Sequence, residues 1–212
     1  MTTNSPSSAT TTSARTNNEW LRGVVFTALF GAMFIAATLI KIPLGFTPVP
    51  ITLGTFAIML AGGILGAVYG FWSIFIVVAL TATGLPLIGG AGGLAKIFGP
   101  TGGYIWMYPI AALLIGLVSD ALFSKNRKLS KLQQLLLMLA IFVFGSLLLY
   151  VTGVPWLAHV SDNVKYDTLS GALAAGMYPF LLGDAIKAVA ATLVIVSLKP
   201  VLPTIRPRKL KK

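Results

Sequence analysis

The sequence predicts an all-α integral membrane protein with six transmembrane helices and irregular loops on the outer side. The composition predicts a membrane protein: of 212 residues, 56% are hydrophobic and only 10% are charged, whereas soluble domains contain about 25% charged residues. The sequence pattern predicts several helices joined by irregular loops, because long apolar runs alternate with segments rich in glycine, proline or basic residues. The absence of cysteine excludes disulfides and thiolate chemistry, and a single histidine, His159, with five acidic residues argues against a multi-ligand metal site.

The chain begins with a polar segment followed by a first apolar run. Residues 1–18 are rich in Ser, Thr and Asn, which predicts a disordered tail. Residues 20–40 have the length of about 20 residues that a spanning helix requires. Small residues recur on this run every four positions, at Ala28, Ala32 and Ala36, and therefore share one helix face. Such a face lets a second helix approach closely in a membrane, and the spacing leaves open whether that helix belongs to the same chain or to a partner.

A proline-rich loop and a long uncharged run come next. Residues 41–50 contain three prolines and are predicted to be extended. Residues 51–83 carry no charge, and as one helix they would measure about 50 Å, which exceeds the hydrocarbon core of about 30 Å. We therefore predict two short helices that turn near Gly62, Gly63 and Gly66.

Residues 84–106 form a glycine-rich segment that reads GLPLIGGAGGLAKIFGPTGGYIW. It holds eight glycines, two prolines and one charged residue, Lys96. Backbone of this kind leaves N–H and C=O groups without regular partners, and a membrane tolerates it only where it is buried in protein or lines a cavity. The segment is therefore predicted to be a re-entrant or capping loop around a polar ligand, with a plain flexible linker as the alternative.

The second half of the chain predicts three further helices, at residues 104–123, 132–151 and 179–198. A compact basic loop joins the first two, and a longer link over residues 152–178 joins the last two. The chain then ends in a basic stretch.

The distribution of basic residues predicts the orientation of these helices. With six helices, the side that holds both termini carries twelve Lys and Arg residues, and the other side carries three: Lys41, Lys96 and Lys165. Because cytoplasmic loops carry the excess of basic residues, both termini are predicted to be cytoplasmic. The chain then divides into a disordered cytoplasmic tail (1–18), a six-helix membrane domain (19–199) and a basic cytoplasmic tail (200–212).

Two ionisable residues, Asp184 and Lys187, lie inside a predicted span. They are three positions apart and therefore share one face of the helix. An ionisable residue inside a membrane is costly and usually marks a function, although a structural ion pair is the alternative. The two side chains offer an acceptor and a donor to a neutral polar group such as a urea or an amide.

Other candidate ligand-binding residues lie in or beside the outer loops. Lys96 lies among glycines, including Gly93. The ammonium of this lysine and the backbone N–H groups of the glycines together suit a carboxylate ligand. The alternative is an ordinary loop lysine that faces solvent. Hydroxyl groups and aromatic walls are predicted from Thr52, Thr55, Tyr104 and Trp106. The GAGGLA stretch lacks the strand that a dinucleotide fingerprint requires, and no phosphate-binding loop is present.

Four segments together resemble the BioY family, the biotin-binding S components of energy-coupling factor (ECF) transporters. They read KIPLGFTPVPITLGT, GLPLIGGAGGLAKIFGPTGGY, LYVTGVPWLA and YPFLLGDAIKA, and they cover roughly residues 24–198 in the family's order. The resemblance implies an S-component fold in a prokaryotic cell membrane, with no cofactor and no enzyme activity. It also implies biotin as the ligand, and a transmembrane coupling subunit with two ATP-binding cassette ATPases as partners.

The resemblance further implies roles for particular residues. Asp184 and Lys187 would bind the ureido ring of biotin, Lys96 would lie near its carboxylate, and the alanine face at positions 28, 32 and 36 would dock the coupling subunit. One departure is Gly54, where many relatives have glutamine in ITLQT, so that a side-chain hydrogen bond to the ligand is missing or replaced. An autonomous small-molecule carrier and a small intramembrane enzyme are the alternative functions.

Overall fold

A computed structural model of the chain describes residues 9–125, 128–161 and 165–202, and the described backbone is mostly helical. Two short strands, β1 (Lys41–Ile42) and β2 (Ile51–Thr52), pair antiparallel and close the proline-rich loop. The π-helical segment Ala61–Leu65 extends the second helix, and the π-helical segment Val143–Leu147 joins the seventh helix to the eighth. The helices are α1 (Ala9–Leu39), α2 (Gly54–Leu60), α3 (Ala67–Ala82), α4 (Leu94–Ile97), α5 (Gly102–Ile105), α6 (Tyr108–Lys125), α7 (Lys131–Phe142), α8 (Leu148–Val160), α9 (Leu169–Gly176) and α10 (Leu181–Leu198).

Four helical stretches among the described residues are long and apolar enough to cross a membrane. Between the first and second of them lie two shorter apolar helices, Gly54–Leu65 and Ala67–Ala82. The four candidate spans are Trp20–Leu39, Gly102–Ser124, Lys131–Val160 and Leu181–Leu198.

The uncharged run turns at Gly66, so the prediction of two short helices is confirmed. Gly66 has a φ of 82°, which L side chains rarely adopt, and a Cβ there would lie 2.5 Å from Oδ1 of Asp120. The Asp120 carboxylate accepts a hydrogen bond from the backbone N–H of Ala67 (3.1 Å), the first residue of α3. A carboxylate from α6 therefore caps the start of α3, where the helix dipole favours negative charge.

Two boundaries differ from the sequence-based prediction. Helix α1 begins at Ala9, so the backbone of residues 9–18 is helical where a disordered tail was expected; neither proline nor glycine lies between Ala9 and Arg22 to end the helix. Residues 1–8 and 203–212 of the two predicted tails lie outside the described residues.

The fifth predicted helix was expected to end at residue 151, but α8 continues to Val160. Pro155 lies inside α8 without ending it, and side chains from this extension bind the glycine-rich segment. A 30-residue helix is about 45 Å long, which exceeds the hydrocarbon core of about 30 Å.

Polar clusters mark the two ends of α10. Asp184 lies in its first turn, and Lys199 follows its last residue. The Lys199 ammonium donates to the carbonyl oxygen of Gly63 (2.7 Å) and to Oγ of Ser119 (2.7 Å), and it lies 3.5 Å from Oδ1 of Asp120. The turn between α2 and α3 therefore lies at the Lys199 end of the molecule, and the Asp184 end is the opposite one.

Candidate ligand-binding site

A cavity of about 300 Å³ lies at the Asp184 end, lined by the proline-rich loop, the glycine-rich segment and several helices. This volume is at the lower end of the range of about 300–1,000 Å³ typical of small-molecule sites. The glycine-rich segment contributes lining residues at both Gly89 and Lys96, so it does not act as a plain linker.

Asp184 and Lys187 form a buried ion pair in one wall of this cavity. The Lys187 ammonium lies 3.1 Å from Oδ1 of Asp184 and also donates to Oγ1 of Thr55 on α2 (3.1 Å). The side chains of Lys187 and Asp184 are only 14% and 6% exposed. The second carboxylate oxygen, Oδ2, accepts a hydrogen bond from the hydroxyl of Tyr150 on α8 (2.5 Å).

This arrangement leaves bonding capacity for a ligand. An ammonium has three donors, and Lys187 uses two of them on Asp184 and Thr55. A carboxylate offers about four lone-pair sites, of which Lys187 and Tyr150 occupy two. The wall can therefore donate to a carbonyl oxygen and accept from a neighbouring N–H at the same time.

Lys96 lines the same cavity and is positioned by the backbone around Gly93. Gly93 has a φ of 81° and precedes α4; its N–H donates to the carbonyl of Thr81 (2.7 Å), and its carbonyl accepts from the N–H of Lys96 (3.0 Å). The Lys96 ammonium donates to Oγ1 of Thr101 (3.3 Å). Burial, and secondarily the charge of Lys41, lower the pKa of Lys96 below its ordinary value, so an anion placed beside it would be stabilised.

Side chains of α8 hold the irregular backbone of the glycine-rich segment. The indole N–H of Trp156 donates to the carbonyl of Gly99 (2.9 Å), and the hydroxyl of Thr152 donates to the carbonyl of Gly103 (2.8 Å). The hydroxyl of Thr38 on α1 accepts from the N–H of Gly89 (3.0 Å). These bonds satisfy backbone groups that no helix or sheet satisfies.

Six of the eight predicted ligand-binding residues line the cavity: Asp184, Lys187, Lys96, Thr52, Thr55 and Tyr104. Tyr104 contributes ring surface, because its hydroxyl donates to the carbonyl of Gly176 (3.0 Å).

Gly93 and Trp106 are not among the lining residues. Gly93 instead positions the helix that carries Lys96, and Trp106 packs against Trp156 (4.3 Å between ring centroids) and donates to the carbonyl of Ile97 (3.0 Å). Gly93 was predicted from its place among the glycines around Lys96, and Trp106 from its aromatic ring as an apolar wall; neither the spacing nor the residue type determines the direction in which a side chain points.

Sequence reasoning missed several polar lining residues, chiefly Tyr150, Lys41 and Thr38. Tyr150 lies in an otherwise apolar run, and a hydroxyl there is the signal that could have identified it. Gly54, which stands where the resembling sequence pattern ITLQT has glutamine, does not line the cavity. A Cβ at this position would lie 3.0 Å from Cγ2 of Thr38, so a side chain here would point at α1.

The three alanines of α1 are exposed, whereas Phe30 and Phe34 on the same helix are buried. Their face therefore does not pack against the described part of this chain.

The chain matches the BioY family model over residues 5–204. It is 38% identical to the biotin transporter BioY of Rhizobium etli over 81% of this chain and 90% of that protein. It is 33% identical to the biotin transporter BioY of Thermotoga maritima over 84% of this chain and 96% of that one. A crystal structure of the S-component for biotin from an ECF-type ABC transporter superposes with a TM-score of 0.77 at 32% identity, covering 86% of this chain and 93% of the other.

Proposed function

The chain belongs to the BioY family, and we propose that it is the biotin-binding S component of an ECF-type vitamin transporter. It is a membrane transport component and not an enzyme. The observation that carries the proposal is the presence, in one cavity, of a buried carboxylate–ammonium pair and a separate lysine.

The cavity suits the three chemical parts of biotin. The ureido ring would accept from Lys187 and donate to Asp184, since both retain bonding capacity. The valerate carboxylate would lie near Lys96, whose ammonium is partly desolvated. The apolar ring and chain would contact the rings of Tyr104 and Tyr108.

We place biotin entry at the extracytoplasmic side of a prokaryotic cell membrane, with both termini cytoplasmic. The cavity end carries the proline-rich loop and the glycine-rich segment, whereas the basic residues Lys128, Lys131 and Lys199 flank helix ends on the predicted cytoplasmic side. Excess basic charge marks the cytoplasmic side. In this arrangement the two shorter apolar helices complete a six-helix, multi-pass domain with the four candidate spans.

The partners in this proposal are a transmembrane coupling subunit and two ATP-binding cassette ATPases, which supply the energy. The docking surface is the exposed face of α1 that carries Ala28, Ala32 and Ala36. Small side chains let a partner helix approach closely in a membrane. A bulky Ala32→Leu substitution should therefore impair assembly with the coupling subunit without changing biotin affinity.

The decisive experiment is calorimetry of biotin binding to the purified, detergent-solubilised chain without nucleotide. We expect tight binding that Lys96→Ala weakens, whereas Lys165→Ala, which removes a lysine outside the cavity lining, should leave it unchanged. A well-folded chain that does not bind biotin would contradict the proposed function. Uptake into vesicles by this chain alone would instead favour an autonomous carrier.

A further inference from the structure

Of the described lysines that line the cavity, Lys41 is the one that the binding scheme above does not use. It lies on β1 opposite Thr52 of β2, and its ammonium donates to the carbonyl of Gly89 in the glycine-rich segment (3.1 Å). It lines the same cavity as Lys96, but unlike Lys96 it is exposed. Lys41 therefore lies where the two outer segments meet at the mouth of the cavity.

The charges of the cavity lining are unbalanced. Its lining contains three lysines, Lys41, Lys96 and Lys187, and one carboxylate, Asp184. That carboxylate pairs with Lys187, and the other ion pair among the described residues joins Lys199 to Asp120. The lining therefore carries two ammonium groups that those ion pairs do not neutralise.

The two ammonium groups act on each other. The charge of Lys41 contributes to the lowered pKa of Lys96, which places the two groups within electrostatic reach. An anion held near both would be attracted by each of them and would relieve their mutual repulsion. Lys41 also retains donors for such an anion, because it uses one of its three on Gly89.

We propose that Lys41 is a second cation of the carboxylate subsite, and that it favours ligands with a free carboxylate over their neutral derivatives. This inference rests on the proposed function, since the carboxylate in question is that of biotin. In this arrangement the ligand carboxylate lies between the proline-rich loop, which carries Lys41, and the glycine-rich segment, which carries Lys96. The bound anion then draws the two outer segments together over the cavity.

The test compares biotin with biotinamide, in which the carboxylate is replaced by a neutral amide. In Lys41→Gln, which removes the charge but keeps a donor, biotin should bind about three- to fivefold more weakly, the size expected of a partly exposed charge pair. The affinity for biotinamide should not change. Lys41→Arg should retain biotin binding, and Lys165→Gln serves as a control for the loss of one positive charge.

Ionic strength provides a second measurement. Because exposed charges are screened by salt, the difference between the wild-type chain and Lys41→Gln should shrink as salt is added. Equal loss of biotin and biotinamide binding in Lys41→Gln would mean that Lys41 only ties the proline-rich loop to Gly89. This outcome would overturn the inference and leave the proposed function intact. Absence of biotin binding by the wild-type chain would overturn both.

Discussion

Replacing Asp184 with asparagine should remove most of the affinity for biotin. The carboxylate is buried and accepts from Lys187 on one oxygen and from Tyr150 on the other. Asparagine has nearly the same shape and keeps one oxygen for Tyr150, but it has no negative charge. The Lys187 ammonium is then left in the cavity wall without its ionic partner, and the ureido N–H loses a charged acceptor.

The expected size of this effect follows from the burial of the pair. Loss of one member of a buried, hydrogen-bonded charge pair at an interface costs about 2–5 kcal/mol. At about 1.4 kcal/mol for each tenfold change, this corresponds to a loss of affinity between roughly 30-fold and several thousandfold. Calorimetry, supported by competition with a fluorescent biotin derivative, covers this range.

A second variant separates binding from folding. Breaking a buried ion pair also destabilises a protein, whereas removing both charges often does not. Asp184→Asn should therefore lower the unfolding temperature, and the double variant Asp184→Asn, Lys187→Met should recover much of that loss without recovering biotin binding. If Asp184→Asn is folded and its Kd stays within about threefold of the wild-type value, less than about 0.7 kcal/mol, the assignment of this pair to the ligand is wrong.

Two further predictions concern the outer segments. The hydroxyl of Tyr166, in the link before α9, donates to the carbonyl of Phe46 in the proline-rich loop. The Tyr166→Phe variant should therefore release biotin about two- to tenfold faster, which is the effect of losing one hydrogen bond. Stopped-flow dissociation rates equal to those of the wild type would contradict this role. Because burial and the charge of Lys41 lower the pKa of Lys96, its ammonium is lost at a lower pH than that of an ordinary lysine. Biotin affinity should therefore be constant below the pKa of Lys96 and fall as the pH rises through it. The affinity for biotinamide should show no such decline. An equal decline for both ligands would exclude Lys96 as the cause.

The features that could be predicted from the sequence are those determined by neighbours along the chain. Residues 184 and 187 are three apart on a helix, so their contact follows from helical geometry. The turn at Gly66 follows from the length of the uncharged run and the clustering of glycines. The role of the glycine-rich segment as a cavity wall follows from the unsatisfied polar groups of its backbone.

The features that could not be predicted depend on how distant segments pack. Tyr150 and Asp184 are 34 positions apart, and their contact depends on the orientation of α8 beside α10. The extension of α8 beyond residue 151 depends in the same way on Trp156, whose indole finds a carbonyl acceptor in another segment. Patterns of hydrophobicity predict that a helix exists, but they do not specify which of its polar side chains face one another.

Two lysines tie α10 to α2: Lys187 on α10 and Lys199, which follows its last residue. Lys187 donates to Thr55 near the start of α2, and Lys199 donates to Gly63 in the π-helical extension of the same helix. The packing is close at the Lys199 end, because a Cβ at Gly63 would lie 2.1 Å from Cδ1 of Ile195. Sliding α10 along α2 would break both charged hydrogen bonds, each of which contributes about 1.5–3 kcal/mol.

The outer segments are held differently. Lys41 and Tyr166 each make a single hydrogen bond to loop backbone, and Thr38 makes two, to Leu87 and Gly89. The bonds of the neutral hydroxyls contribute about 0.5–1.5 kcal/mol each, less than the bonds of a buried ammonium, and the bond of Lys41 is exposed to solvent. Movement of the proline-rich loop away from the glycine-rich segment would break the bonds of Lys41 and Tyr166, whereas Trp156 and Thr152 would still hold the glycine-rich segment on α8. Under the proposed function, reorientation of the whole subunit within its complex would preserve the α2–α10 ties, whereas sliding α10 along α2 would break them.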